Sequence, residues 1–216
     1  MSALRYTLVT DGRSDKALKP ILDWLLIDIL EEQGHHIAIQ GTWADLSTIV
    51  TNTLSDKVLR AFDLYPCDLL FIHRDAEKQS RLQRVQEIHA ATPSLPPNPV
   101  PVIPVRMTEA WLLISEAALR TAACNRNGKA KLLLPPLHSL ESLANPKQTL
   151  HDLLEQASEL SGRRLRDFNP HRCVHAITTA INDFSPLRQL PSFQALEQDL
   201  RQWISTYAVP QPHTQG

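Results

Sequence analysis

Of 216 residues only 6 are glycine, and no GxxxxGK[ST] or GxGxxG run occurs, so the sequence carries neither glycine-rich signature of a nucleotide-phosphate cradle. The 3 cysteines (Cys67, Cys124, Cys173) lie far apart with no CxxC pair, which removes a disulfide framework and a thiolate zinc site and leaves them as small buried hydrophobes. No apolar stretch nears the ~18 residues of a membrane span, and the start runs into a strand-like segment rather than a signal peptide, so a cytoplasmic protein with no membrane partner is expected. Charge is balanced, 22 Lys and Arg against 23 Asp and Glu, which excludes a generally basic nucleic-acid coat but leaves room for a local basic patch. No GxSxG elbow is present.

What the chain does have is alternation. Arg5 to Val9 reads as a strand, Asp11-Gly-Arg-Ser-Asp15 as a turn, and Ala17 to Leu30 as a helix with Gly34 as its stop. A weaker strand over 36–40 and a helical pattern from Leu46 to Phe62 follow. Leu69-Leu-Phe-Ile72 is a continuous apolar run, as in a strand covered on both faces, and it ends in His73-Arg-Asp-Ala-Glu77. A helix over 79–91, a proline-rich connector over 93–99, and a short or edge strand over 100–105 come next, with Thr108 as a cap for the turn that follows. Such alternation predicts a parallel sheet with helices on both faces. After about residue 118 helices dominate, over 147–160, after Asn169-Pro170, and over 192–207. The expected organisation is an α/β core over 1–118, a helical cap over 119–207 and a loose tail over 208–216.

If the first and third strands are neighbours, Asp11 meets Asp75 and Glu77 at one sheet edge, where open α/β sheets hold ligands. Asp75 and Glu77 share a side if the extended backbone persists. Three crowded carboxylates repel unless they bind protons or a divalent cation, and Mg²⁺ suits one or two of them together with a phosphate. Glu109, after the fourth strand, approaches the same edge with Arg106 as phosphate contact or charge partner. Arg163, Arg164, Arg166 and Lys147 supply a basic segment for a nucleic-acid backbone. The plainer alternatives are a turn residue and a helix cap for Asp11 and Asp15, helix-start acids for Asp75 and Glu77, and a solvated face for the arginines. A phospho-acceptor receiver also places acids after strands one and three, but a suitably positioned lysine after the last strand is missing. His171 and His175, four apart, lack a third zinc ligand and read as packed or surface histidines.

The Asp11-Gly-Arg-Ser-Asp15, Leu-Leu-Phe-Ile-His-Arg-Asp75-Ala-Glu77 and Val-Ile-Pro-Val-Arg-Met-Thr-Glu109-Ala-Trp-Leu-Leu segments resemble the domain-of-unknown-function 4276 proteins. Asn145-Pro-Lys147 and Phe184-Ser-Pro-Leu-Arg188 extend the resemblance over most of the chain. It implies a Toprim-like α/β fold, a parallel sheet flanked by helices with a C-terminal helical extension. It further implies a site in which Asp11, Asp75 and Glu77 hold Mg²⁺ or Mn²⁺ for cleavage of DNA or RNA, in a bacterial anti-phage component working beside an ATPase, with an oligomer allowed. Toprim-like proteins carry glutamate in the first motif, where this chain has Asp11, and Asp-x-Asp where it has Asp75-Ala-Glu77, so the reach of the acids differs. The alternative is a catalytically silent module of the same fold that binds the ATPase or a phage component.

Overall fold

A computed structural model describes residues 3–93, 95 and 99–207. Strands β1 (Leu4–Val9), β2 (Ile39–Trp43), β3 (Leu69–His73) and β4 (Val100–Val102) form one sheet in the order β2-β1-β3-β4, parallel throughout. Among the helices, α1 (Leu18–Glu32), α2 (Leu54–Leu64) and α3 (Arg81–Ala91) connect the strands. Helices α4 (Glu116–Ala122), α5 (Pro146–Ser158), α6 (Gly162–Asp167), α7 (Val174–Ala180) and α8 (Pro191–Tyr207) follow. The molecule is thus α/β, with a helical C-terminal half, consistent with a Toprim-like α/β fold carrying C-terminal helices.

The buried β3 run sits in the interior of the sheet, paired on both sides, and every one of its residues is buried. Alternation then sorts side chains between faces. Tyr6, Leu8, Leu69, Phe71, Val100 and Val102 join one large core with α1 and the later helices. Val9, Leu70 and Ile72 join a smaller one with Val58 and Ala61 of α2 and Ile88 of α3. In α1 the expected apolar positions, Leu18 through Leu30, are all buried. Gly34, at φ +74°, follows its C-cap in the left-handed conformation that glycine adopts without strain. Gly41 of β2 has a different cause: a Cβ there would lie 2.3 Å from the Tyr6 ring. That ring also meets Phe71 edge-on at 5.2 Å, and its hydroxyl donates to Asp23.

Residues 119–207 pack into the larger core through Leu119, Leu150, Leu154, Ile177, Phe193 and Leu200. Trp111 is fully buried there, edge-on to Phe193 at 5.3 Å, with its indole N–H donating to Ser192. Arg201 of α8 pairs with Glu32, and Arg188, on the 3-10 turn Ser185–Gln189 that leads into α8, pairs with Asp28, so both bind this end of the chain to α1.

Several boundaries differ from the sequence reading. The second strand begins three residues later than expected, and residues 46–53 are not helical: α2 starts at Leu54, because Thr53 caps it by accepting the Asp56 N–H. Thr108 caps nothing; Met107 holds the cap position of a short 3-10 turn, Thr108–Leu112. Of the cysteines only Cys173 is buried, Cys124 being exposed at φ +59° and Cys67 intermediate. The proline-rich connector lies partly, and the tail over 208–216 wholly, outside the described residues.

Candidate active site

Both acidic segments leave the same end of the sheet, because β1 and β3 are parallel neighbours with Val9 opposite Ile72. The loop after β1 is held by short bonds. The Thr10 hydroxyl donates to the Gly12 carbonyl and accepts the Trp43 indole N–H, and the Gly12 N–H donates to Asp15 Oδ2 at 2.8 Å. Asp15 is thereby turned inward and buried, while Asp11 stays half-exposed. Burial raises the Asp15 carboxyl above the ordinary aspartate range. His73 and the Gly12 N–H oppose that, and the charges of Asp75 and Asp11 reinforce it, so all three aspartates share one electrostatic neighbourhood.

The chain after β3 continues alongside the chain after β4: the N–H groups of Arg74, Ala76 and Glu77 donate to the carbonyls of Val102, Pro104 and Arg106. At the end of this pairing Glu77 and Arg106 both adopt left-handed backbones, φ 53° and 64°. The extended geometry that would have aimed Glu77 along with Asp75 therefore stops before Glu77. Its carboxylate lies on the surface, 66% exposed and 3.6 Å from Arg84.

Asp75 is held closely on one oxygen. Oδ1 accepts the Thr108 N–H at 3.0 Å and faces His73 Nε2 at 3.1 Å. Thr108 Oγ1 lies 3.1 Å from the same ring nitrogen. His73 is fully enclosed, and its other nitrogen is 3.5 Å from Asp15 Oδ2 without forming a hydrogen bond. The backbone carbonyl of Asp75 accepts from Arg84 Nε, and Arg84 pairs with Glu87.

Asp11 meets a cation instead: Arg74 Nε is 3.0 Å from its Oδ2, close but not aligned as a hydrogen bond, and Arg74 also pairs with Glu87. Lys57 reaches the Asp11 carbonyl. Glu109 is buried on the turn beside Thr108 and takes Lys147 at 3.5 Å. Arg106 is exposed and lines a cleft of about 520 Å³ with Glu77, Lys78, Gln79, Met107 and Ala144. Arg163, Arg164 and Arg166 lie exposed on α6, where Arg163 pairs with Asp167, and no hydrogen bond or ion pair among the described residues joins them to the acidic edge. His171 packs against the His151 ring at 4.4 Å, and His175 is exposed.

For a divalent ion, Asp11 and Asp75 are the fitting donors. Among the described residues Asp75 Oδ2 takes no hydrogen bond or ion pair, and the Asp11 carboxylate is met only by the partly buried Arg74. Two carboxylates suffice for Mg²⁺ that keeps its waters. A three-carboxylate cage is not present: among the described residues no three His, Cys, Asp or Glu side chains are grouped as metal ligands.

Sequence reasoning gave His73 no role and read Asp15 and Thr108 only as caps. A histidine closing an apolar run was the one available signal for the first, since a buried strand tolerates a polar ring only with partners. The chain matches no family model, no curated protein and no solved structure.

Proposed function

We propose that the protein is a Mg²⁺- or Mn²⁺-dependent nuclease of Toprim-like type, acting on the phosphodiester bonds of DNA or RNA. The observation that carries this reading is that Asp11 and Asp75 follow the C-terminal ends of adjacent parallel strands and both act electrostatically on Asp15, with Asp75 Oδ2 unbonded among the described residues and Asp11 partly exposed. When bound by Asp11 and Asp75, such an ion supplies polarisation of a phosphodiester and acidification of a coordinated water. Asp15, buried with a raised carboxyl, then holds the inner edge of the site, and Arg74 is the nearest cation to offer a phosphate once it leaves Asp11. Glu77 and Glu109, each beside a cation, form the acidic rim. Arg106, Lys147 and the Arg163, Arg164 and Arg166 segment are assigned to the nucleic-acid backbone.

The resemblance to the domain-of-unknown-function 4276 proteins adds the wider setting: a cytoplasmic effector of a bacterial anti-phage system with an ATPase as partner. No helix among the described residues is long and apolar enough to cross a membrane.

A second reading, a catalytically silent Toprim-like module that docks on the ATPase or a phage component, is favoured by one observation. Arg74 and Arg84 already compensate Asp11 and Glu77 from within the chain. Cleavage of single-stranded DNA, duplex DNA and tRNA with Mg²⁺ or Mn²⁺ separates the two. The nuclease reading expects Asp75→Ala to lower the rate by more than about 100-fold. A wild-type protein that cuts none of them, even with the ATPase present, leaves only the module.

A further inference from the structure

His73 is an odd residue to close a buried strand. Its side chain is wholly enclosed, at the end of β3 where the chain turns into the acidic loop. A carboxylate oxygen only accepts, so the 3.1 Å approach of Nε2 to Asp75 Oδ1 places the proton on Nε2. The ring then donates to Asp75 and, at 3.1 Å, to Thr108 Oγ1, whose own backbone N–H donates to the same Asp75 oxygen. The Thr108 hydroxyl, 3.5 Å away, is a third and longer donor to Oδ1, and among the described residues none bonds Oδ2. Asp15 Oδ2 stands 3.5 Å from the far side of the ring and blocks its retreat. Arg84 Nε fixes the Asp75 backbone through its carbonyl.

We infer that His73 is a positioning residue: with Thr108 it clamps Asp75 by Oδ1 and so presents Oδ2 alone to whatever the sheet edge binds. The clamp is a property of Asp75 whether or not a metal enters, and only its consequence for ion binding rests on the nuclease reading. Outer partners of this kind orient a carboxylate before it takes a ligand, and losing one typically weakens metal affinity by ~10–100-fold.

The test uses the full chain labelled with ¹³C and ¹⁵N. Asp75 χ1 populations are read from scalar couplings, and Mn²⁺ affinity from titration of the bare ion, in wild type, His73→Leu, His73→Gln and Thr108→Val. The glutamine amide keeps a donor near the Nε2 position, whereas leucine keeps only bulk. A single Asp75 rotamer is expected in wild type and His73→Gln, and averaging in His73→Leu with Mn²⁺ bound ~10–100-fold more weakly. Thr108→Val, which deletes only the hydroxyl, is expected to loosen Asp75 in part, and it decides the matter if His73→Leu does not fold. The inference is overturned if Asp75 keeps one rotamer in the folded leucine variant or, failing that, in Thr108→Val. It is also overturned if leucine and glutamine disturb Asp75 equally, since that marks a packing role. A wild type that binds no Mn²⁺ defeats the metal reading and leaves the rotamer result standing.

Discussion

The two faces of the sheet are built to different depths. One is covered by α1 and α8, with α4, α5 and α7 joining the same core, and Trp111, Phe184 and Phe193 are fully buried there. Among the described helices the other carries α2 and α3, whose largest fully enclosed contributions are Val58 and Ile88, while Leu59, Leu64 and Leu82 remain exposed. Yet Asp75 depends on both. Its side chain is held by Thr108, on the turn leading into the thick face, and its carbonyl by Arg84 of α3 on the thin one. The lesson is that the deep core sets where the strand ends lie, and the thin layer, rich in ion pairs, sets how the acidic loop is held.

Core truncation is the sharpest way to break that contrast. Trp111→Ala is expected to cost about 3–5 kcal/mol and Ile88→Ala about 2–3 kcal/mol in urea unfolding, because a thin layer relaxes more readily around a cavity. Equal costs would mean that the α2–α3 layer is as rigid as the deep core. Next in size is Arg84→Met, which removes the donor to the Asp75 carbonyl and one of two cations on the partly exposed Glu87; about 1–2 kcal/mol is expected. Part of that should return in Arg84→Met/Glu87→Gln, and a double variant as unstable as the single would show that the pair is not the cause. Ser80 caps α3 in a full capping box with Gln83, so Ser80→Ala should cost about 1 kcal/mol.

The smallest effects lie in pH slopes, and they differ in sign between the two sides. Asp15 titrates above the ordinary value because it is buried. Its stabilising share is complete below the unfolded aspartate pKa of ~3.9 and is lost as pH rises through the higher folded value. Asp15→Asn keeps an acceptor for the Gly12 N–H and should flatten that decline. For Glu87 burial pushes upward, but Arg84 and Arg74 together outweigh it and hold the carboxyl below its usual range. Its share is present above the unfolded glutamate pKa of ~4.3 and fades as pH falls through the lowered one, so Glu87→Gln should remove a decline on the acid side. Urea midpoints between pH 3 and 8 read both slopes, and a common sign would contradict the assignment.

Much of the frame was legible from the chain alone. The apolar spacing of α1, the unbroken β3 run and the glycine after α1 mark their elements because each follows from a local period or a local backbone need. The start of α2 was not, since Leu46 and Ile49 mimic a helical stripe while Thr53 supplies the cap that starts the helix. Of the site, Asp11 and Asp75 were visible as polar residues at strand ends. The inward turn of Asp15 was hidden, because it depends on one backbone N–H three residues away. Glu77 was misaimed by assuming that extension continues past the strand, where a left-handed residue turns it outward.

Sequence by itself determined that a parallel α/β sheet forms and that acids follow its first and third strands, because period, burial and turn chemistry act over a few residues. Only the tertiary structure decided how each acid is held. Arg74 and Arg84 take Asp11 and Glu77, and His73 stands between Asp15 and Asp75. Those choices depend on angles and distances between segments tens of residues apart, where an ångström separates a ligand from an ion-pair partner and no spacing along the chain records it.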